Sequence, residues 1–483
     1  MGDLGKVMSA RQWLGLLLGP TLFALMLLLP APAGMPPAAV KVAAVTLWMA
    51  SYWIMEVIPI PATALLPIAL FPLLGVMPTG QVTAAYANHL VYLFMGGFLI
   101  AMAIERWELH RRVALHTVRL VGVSPRRLIL GFMLATAFLS AWISNTAAAM
   151  MMVTIGLAVL SQLDRDGRGD GALGTTLMLA IAYAASIGGL ATLIGTPPNA
   201  ILAGVLESRY GYHIGFAQWM SFGVPLSLVL LALAWWYLTR WVLGPQRQGP
   251  EDGDQVIARA LQGLGPMTAQ EGRVLLVFGL VVLGWLLQGV IATGPLAMIT
   301  DSSIAIAGAL LLFMLPAGGG QPGFLLDWQH AVRLPWDIIL LFGGGFALAA
   351  GFASSGLTLW LGELLGVFAG AGPLVILLAV VLLVIFLTEV TSNTATASLL
   401  LPVMGGFAVA IDSHPLTLMV GTALAASCAF MLPVATPPNA IVFSSRRVTI
   451  PQMARAGIWL NLMATLVIVA FVSWVLPMVL PAS

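Results

Sequence analysis

Charged side chains are scarce in this sequence. Only 8% of the 483 residues are Asp, Glu, Lys or Arg, against roughly 25% in a soluble domain. A formal net charge of +2 is too small to indicate a nucleic-acid partner. Apolar runs long enough to cross a lipid bilayer, which takes about 20 residues, recur along the whole chain. We therefore expect an all-α integral membrane protein, because a backbone in lipid must satisfy its own hydrogen bonds within helices.

Cysteines and catalytic motifs are equally scarce. A single cysteine, Cys428, excludes a disulfide within the chain and a metal site built on several cysteines. The six histidines show no metal-ligand spacing. An intramembrane hydrolase would need an H-E-x-x-H motif or paired aspartates at depth, and neither is present. A channel would call for a continuous filter or rings of charge. We therefore predict that the protein is not an enzyme, and we regard a channel as unfavoured.

Eleven apolar segments are predicted to be transmembrane helices. They cover residues 13–30, 41–58, 61–77, 89–107, 175–207, 216–243, 273–292, 302–316, 336–364, 416–445 and 457–480. Two further segments, 127–160 and 373–411, are too long for one span, and each is predicted to be a re-entrant helical hairpin. The N-terminal stretch resembles a signal peptide, with "APAG" at 31–34, but it is long for one, so we interpret it as the first span.

The distribution of Lys and Arg predicts the orientation. With the N-terminus in the cytoplasm of a bacterium, eighteen of the 20 Lys and Arg residues fall on the cytoplasmic side of the plasma membrane, and only Lys41 and Arg209 fall outside. Treating either hairpin as a single span would remove this bias. The polar loop 244–272 is then cytoplasmic, and it is too short and too rich in Gly and Pro to be a domain.

Two halves of the chain repeat each other. "LFMGGFLIA" at 93–101 matches "LFGGGFALA" at 341–349 with an offset of 248 residues, and the tripeptide Ser-Asn-Thr recurs at the same offset. "IGTPPNAI" at 194–201 matches "VATPPNAI" at 434–441. An odd number of crossings separates the copies, so they are predicted to be inverted, as is typical of secondary transporters. The predicted segments are residues 1–36, the first repeat 37–243, the loop 244–272, the second repeat 273–445, and 446–483.

Each repeat has two polar interruptions at membrane depth. Pro197-Pro198 and Pro437-Pro438 should break the helices 175–207 and 416–445, because proline removes a backbone donor and clashes with the preceding turn. Freed carbonyls suit a cation, and half-helix N-termini suit an anion. Neither kind of motif contains Lys or Arg, so a bound dianion would need cations such as sodium for neutralisation. Small polar residues can also serve packing alone, but four motifs in matched pairs favour a binding site.

One acidic residue breaks the symmetry of the repeat. Glu389 lies beside the second Ser-Asn-Thr, and Ala141 takes the matching place in the first repeat. We interpret Glu389 as structural rather than as a shared ligand, with a proton or gating role as the alternative.

The motif series resembles the divalent anion/sodium symporter family. The paired Ser-Asn-Thr and Thr-Pro motifs, "EVIPIPATALLPIALFPLLGVM" early and "AFMLPVATPPNAIVF" late, extend this resemblance from about residue 40 to the C-terminus. The resemblance implies a homodimer of eleven-span protomers that work as elevators and carry C4-dicarboxylates such as succinate, fumarate or malate together with Na⁺. Relatives that exchange dicarboxylates without sodium, or carry sulfate or citrate, are the alternatives.

The resemblance also implies individual site residues. A first sodium would be held by Ser140, Ser144, Asn145 and the carbonyl of Gly195. A second would be held by Thr388, Thr391, Asn393 and the carbonyl of Ala435. The substrate carboxylates would be bound by Asn145, Thr146, Ser392, Asn393 and Thr394, with Thr196-Pro197 and Thr436-Pro437 closing the site.

Overall fold

The computed structural model describes residues 9–122, 124–165, 171–244, 253–292 and 296–480. The helices of the N-terminal half are α1 (Ala10–Leu28), α2 (Pro37–Met55), α3 (Ile60–Thr63), α4 (Leu66–Leu73), α5 (Thr79–Tyr86), α6 (His89–Arg106), α7 (Leu109–Val121), α8 (Pro125–Ser140), α9 (Asn145–Arg165), α10 (Gly171–Gly189), α11 (Pro197–Tyr210) and α12 (Phe216–Tyr237). A π-helical turn, Leu238–Val242, continues α12.

The C-terminal half repeats this helical pattern. Its helices are α13 (Gly253–Leu264), α14 (Ala269–Ile291), α15 (Asp301–Met314), α16 (Trp328–Ala331), α17 (Trp336–Ser355), α18 (Leu357–Leu365), α19 (Pro373–Thr388), α20 (Asn393–Ala410), α21 (Pro415–Ala426), α22 (Pro437–Ser444), α23 (Ile450–Ala470) and α24 (Leu476–Val479). A 3₁₀ segment, Gly366–Ala371, follows α18, and a π-helical turn, Phe471–Val475, joins α23 to α24. The strands β1 (Pro316–Gly318) and β2 (Gln321–Phe324) form a small antiparallel ribbon.

The all-α membrane class is confirmed, although several predicted spans are not single helices. In the described ranges, nine helices are long and apolar enough to cross a membrane, or ten if one bent pair counts as a span. The predicted span 61–77 divides into α3 and α4, because Pro67 cannot continue a helix from Thr63 without a clash at its carbonyl. The predicted span 302–316 is the shorter α15. The predicted span 336–364 stops at Ser355, where Gly356 takes a left-handed conformation with a φ of 79°.

Both predicted hairpins and both broken helices are present. α8 and α9 contact each other across a break at 141–144, and α19 and α20 do so across a break at 389–392. α10 and α11 are separated by residues 190–196, and α21 and α22 by residues 427–436. α22 packs against α9 and α10, and α11 packs against α20 and α21. The second half of each broken helix therefore joins the opposite repeat, which brings all four breaks together.

The other long helices form a wall around these elements. We call α8–α12 with α19–α23 the hairpin body, and α1–α6 with α14, α15 and α17 the frame. Within the frame, α6 packs closely against α15. The absence of a side chain at Gly96 permits this approach, since a Cβ there would lie 2.7 Å from Ala305. The amphipathic α7 joins the frame to the first hairpin, and α18 joins it to the second.

The predicted loop 244–272 contains a helix that was not expected. Residues 245–252 lie outside the described residues, as do three of the predicted cytoplasmic cations, Lys6, Arg168 and Arg247. α13 follows and buries Ile257 and Leu261, and it packs against α7. Because only one face of α13 is apolar, the overall composition of the loop concealed it.

Candidate functional site

A cavity of about 470 Å³ lies where the four breaks meet. It is lined by the first residues of α9, α11, α20 and α22, so four helix N-termini face it. All nine predicted substrate-binding residues line it: Asn145, Thr146, Thr196, Pro197, Ser392, Asn393, Thr394, Thr436 and Pro437. Of the predicted cation ligands, those that line it are Ser144, Asn145, Gly195, Asn393 and Ala435.

The first hairpin brings two oxygens to one buried hydroxyl, so that three oxygens lie together. Ser140 Oγ lies 2.6 Å from Asn145 Oδ1 and 2.6 Å from the carbonyl of Ala185 in α10. Ser140 is fully buried. Ser144 begins the helix that carries Asn145, since its Oγ accepts a hydrogen bond from the Ala147 amide at 3.2 Å. The packing of α8 on α10 thus places the predicted ligands Ser140 and Asn145 side by side.

The second hairpin reproduces this arrangement. Thr388 Oγ1 lies 2.7 Å from Asn393 Oδ1 and 3.0 Å from the carbonyl of Ala426 in α21. Thr388 is fully buried, like its counterpart Ser140. The same hydroxyl, amide and carbonyl therefore meet at both sites, although different helices supply them.

One proton cannot satisfy both acceptors in either cluster. A serine or threonine hydroxyl carries one donor, and each of these hydroxyls faces an amide oxygen and a backbone carbonyl. In each cluster, either the amide oxygen or the backbone carbonyl therefore receives no hydrogen bond from this hydroxyl. Three neutral oxygens in close contact suit a hard cation, which prefers oxygen ligands.

Glycine is required where the first cluster meets the break. A Cβ at Gly189 would lie 2.8 Å from Asn145 Oδ1 and 3.0 Å from the carbonyl of Gly195. The Asn145 amide and the Gly195 carbonyl therefore approach each other across a residue without a side chain. This brings the predicted backbone ligand Gly195 to the first cluster.

Thr391 is the predicted ligand that the structure places differently. Its Oγ1 bonds the Leu387 carbonyl at 2.8 Å and Thr396 Oγ1 at 2.6 Å, both within its own hairpin. Thr388 and Asn393 bond each other instead. The role of Thr391 as a cation ligand stays a prediction.

Two asparagines that the sequence analysis did not single out hold the breaks. Asn199 Nδ2 donates to the carbonyls of Gly189 (3.2 Å) and Thr192 (2.9 Å). Asn439 Nδ2 donates to the carbonyls of Ala429 (3.2 Å) and Leu432 (3.0 Å). These hydrogen bonds satisfy backbone carbonyls at the two breaks, where the regular helical pattern is interrupted. The repeated "TPPN" contained this signal, because the asparagine recurs in both copies.

Glu389 holds the second break from inside the protein. Its Oε1 accepts hydrogen bonds from the Phe430 and Met431 amides, at 2.7 and 2.9 Å, and its Oε2 from the Leu432 amide at 3.0 Å. Asn461 Nδ2 in α23 also donates to Oε1, at 2.7 Å. At the matching place in the first repeat, the Ala141 carbonyl accepts a hydrogen bond from the Thr192 hydroxyl. The buried carboxylate fits the structural role that the sequence suggested.

The charge around the cavity matches a cation-assisted anion site. The residues that line it include no Lys, Arg or His within the described part of the chain. Exposed carboxylates of Glu56 and Asp337 stand at its edge on the frame, and Phe94 and Phe98 provide an apolar wall. In the same described ranges, no group of three or more His, Cys, Asp or Glu could hold a metal ion. A cation here would therefore depend on neutral oxygens.

Comparisons with known proteins agree with this site. A family model described as the sodium:sulfate symporter transmembrane region matches residues 10–480. The chain is 46% identical over 487 residues to the sodium-dependent dicarboxylate transporter SdcS of Staphylococcus saprophyticus, covering 98% of this chain and 93% of the relative. It is 45% identical over 484 residues to SdcS of Staphylococcus aureus, with the same coverage.

A solved structure shares the fold. The YdaH transporter of Alcanivorax borkumensis aligns with a TM-score of 0.56 at 16% identity, covering 82% of this chain and 86% of that one. At this identity the likeness concerns the fold alone. The family match over nearly the whole chain confirms the resemblance that the paired motifs indicated. The chain therefore belongs to the sodium:sulfate symporter family and is a membrane transporter, not an enzyme.

Proposed function

We propose that this protein is a secondary active symporter that carries a C4-dicarboxylate such as succinate, fumarate or malate together with Na⁺. The observation that carries the proposal is the pair of oxygen clusters, around Ser140 and Thr388, that flank one cavity. Among the residues that the structure describes, no basic side chain lines this cavity. Relatives with 45–46% identity are named as sodium-dependent dicarboxylate transporters, which supports the same substrate class.

The carboxylates would bind mainly at the Ser-Asn-Thr helices. α9 and α20 begin at the cavity with residues that have backbone N–H groups and side-chain amides. α11 and α22 begin with two prolines each, so their first two positions offer no N–H donor. These two termini contribute their dipole, worth about 0.3–1 kcal/mol each for a nearby anion. Each hairpin would therefore bind one of the two carboxylates of a short dianion, so that the two repeats contribute equally to the site.

Sodium ions would provide the missing positive charge. A dianion brought to a cavity lined by neutral and acidic side chains needs compensation, and two cations would neutralise it. The anion site then becomes favourable only when the cations are bound, which couples the two gradients. Any net positive charge that crosses gains about 2.3 kcal/mol per elementary charge per 100 mV of membrane potential.

Alternating access would follow from movement of the hairpin body against the frame. The hairpin body holds every proposed ligand, while the frame contributes apolar and acidic walls, so an elevator movement carries the site intact. We further propose a homodimer in the bacterial plasma membrane with a cytoplasmic N-terminus, as the positive charges predict.

Uptake of radiolabelled succinate by proteoliposomes tests the proposal. We expect accumulation when Na⁺ is imposed outside and none when choline replaces it. Uptake that is independent of Na⁺ but requires succinate inside the proteoliposomes would contradict symport and indicate exchange.

Sulfate is a competing substrate, because the family description names it. Citrate is the other alternative that the resemblance left open. Excess unlabelled fumarate or malate should abolish succinate uptake, while sulfate and citrate should not. Competition by sulfate at concentrations as low as those of fumarate would contradict a C4-dicarboxylate site and favour a sulfate carrier.

Gly189→Ala tests the first cation cluster. The new Cβ would lie 2.8 Å from Asn145 Oδ1, so the amide must move away from the Gly195 carbonyl. We expect the sodium concentration for half-maximal uptake to rise about tenfold, the equivalent of one lost hydrogen bond of about 1.4 kcal/mol. Gly279→Ala in α14 is the matched control, since no atom lies within 4 Å of its new Cβ. Equal sodium dependence in the two variants would remove Gly195 from the site.

A further inference from the structure

Two histidines and one glutamate form a cluster that the cavity does not use. His89 Nε2 lies 2.8 Å from Glu207 Oε2, and His213 Nδ1 lies 3.3 Å from Glu207 Oε1. The side chains of His89, Glu207 and His213 are 40%, 33% and 50% exposed. They lie at or beyond the predicted outer ends of the spans 89–107 and 175–207, where water and protons have access to them. We call these three residues the His-Glu cluster.

The His-Glu cluster connects the hairpin body to the frame. His89 is the first residue of α6 in the frame, whereas Glu207 lies in the last turn of α11 in the hairpin body. His213 follows in the loop between α11 and α12. The second imidazole nitrogen of His89 lies 3.3 Å from Ser302 Oγ at the start of α15, also in the frame. The carboxylate of Glu207 is thus held between both groups of helices.

Two further charged residues of the described part of the chain lie near the His-Glu cluster in sequence or in space, Asp301 and Arg209. The carboxylate of Asp301, at the start of α15, interacts electrostatically with both imidazoles. It also accepts a hydrogen bond from the Phe216 amide at 2.7 Å. Arg209 donates a hydrogen bond to Thr358 Oγ1 at 2.9 Å. Each imidazole therefore has carboxylates as its charged neighbours, and a proton on either ring strengthens its attraction to the opposite element.

We propose that His89, Glu207 and His213 form a proton-sensitive latch that holds the hairpin body against the frame in the conformation seen here. The proposal rests on the alternating-access movement proposed above, because that movement would have to separate α11 from α6. The hairpin body and the frame would separate and rejoin in each transport cycle. The contact between them therefore affects the equilibrium between the state in which it is formed and the state in which it is broken, and protonation of the latch shifts that equilibrium.

The latch and the cavity edge lie toward opposite predicted faces. Arg209, two residues beyond Glu207, is one of the two cations predicted to lie outside. Glu56 and Asp337, at the cavity edge, belong to segments whose ends are predicted to be cytoplasmic. The latch therefore closes the outer side while the site is open toward the cytoplasm, and it opposes the return to the outward-facing state.

The sign of the pH effect follows from His213. Its hydrogen bond to Glu207, within the hairpin body, and the negative charge of Asp301, in the frame, both raise the pKa of His213 above the usual 6.5. Separation of the hairpin body from the frame would remove the contribution of Asp301 and keep that of Glu207. A group whose pKa is raised in the closed contact stabilises that contact fully below the pKa of the separated ring, and loses this effect as the pH rises through the raised value. Acidification should therefore retain the inward-open state and slow the cycle.

The first experiment measures sodium-driven succinate uptake between about pH 6 and pH 8, with the concentration of the succinate dianion held constant. We expect the rate of the unmodified protein to fall roughly two- to fivefold on acidification, the change that a partly exposed ion pair supports. His89→Gln combined with His213→Gln, and separately Glu207→Gln, should flatten this profile. His116→Gln, at an exposed histidine in α7, is the matched control and should retain it. An unchanged profile in both latch variants would overturn the proposal.

A second readout does not depend on the substrate. Val434 lines the cavity and is 79% exposed, while the native thiol of Cys428 is fully buried. Val434→Cys can therefore be labelled with an impermeant maleimide from the cytoplasmic side of inverted membrane vesicles. At acid pH we expect faster labelling with the latch intact than in the Glu207→Gln background. Equal rates at every pH would overturn the latch even if symport holds, and different rates without succinate uptake would preserve the latch while the proposed function fails.

Discussion

Asn393→Ala is expected to reduce sodium-driven dicarboxylate uptake by roughly 10- to 100-fold, and Asn145→Ala by a similar factor. Each asparagine begins a helix at the cavity and sets its Oδ1 against a buried hydroxyl, Thr388 or Ser140. Truncation removes a cation ligand and an anion donor together, and each such loss costs about 1–3 kcal/mol. The variants should still elute as folded protein on size exclusion, because these side chains face the cavity rather than the packed core.

Asn145→Asp separates the two roles of the amide. Aspartate keeps an oxygen where Oδ1 meets Ser140, but it replaces the Nδ2 donor with a second oxygen and a negative charge. We expect the sodium requirement to stay within about twofold, while the KM for succinate rises about tenfold or more through lost donation and repulsion. An unchanged KM for succinate would show that the asparagine serves the cation alone, and full transport by both alanine variants would remove these residues from the site.

The recurrence of Ser-Asn-Thr predicted that the two hairpins contribute to one site, and the family resemblance implied Ser140 and Thr388 beside it. Ser140 and Asn145 are five residues apart, as are Thr388 and Asn393, and both pairs occur in segments where polar groups must find local partners. The recurrence of the Ser-Asn-Thr tripeptide at an offset of 248 residues indicated two halves of a single site. The prolines likewise located the breaks, because their chemistry acts on the neighbouring turn wherever they occur.

The missing parts depend on contacts between distant segments. Glu389 finds its four donors 41 to 72 residues away along the chain, and local pattern does not reveal which backbone amides the packing of α19 and α23 leaves free. The latch has the same origin, since 118 residues separate His89 from Glu207. The predicted span 61–77 was wrong as a single helix for a local reason, because total hydrophobicity outweighed the effect of Pro67 on the preceding turn.

Glu389→Ala is expected to reduce the yield of folded protein strongly. The side chain is 3% exposed and receives three backbone amides and one side-chain amide. Alanine would leave these donors buried without an acceptor, at about 1–3 kcal/mol for each that water cannot reach. Since whole domains are stable by only about 5–15 kcal/mol, we expect little folded protein, measured as the monodisperse fraction after extraction in mild detergent.

Glu389→Gln keeps the shape and tests what the carboxylate does for transport. One amide oxygen can still accept from Phe430, Met431 and Asn461, but an N–H group would then face the Leu432 amide, so the segment before Ala435 must shift. We expect folded protein whose half-maximal sodium concentration is raised about tenfold, with a smaller change in the KM for succinate. Asn461→Ala is the matched variant, since it removes one donor and leaves all three backbone hydrogen bonds of the carboxylate. Its sodium dependence should lie close to that of the unmodified protein. The reverse order of effects, or a normal sodium dependence in Glu389→Gln, would mean that Glu389 stabilises the fold without shaping the second cation pocket.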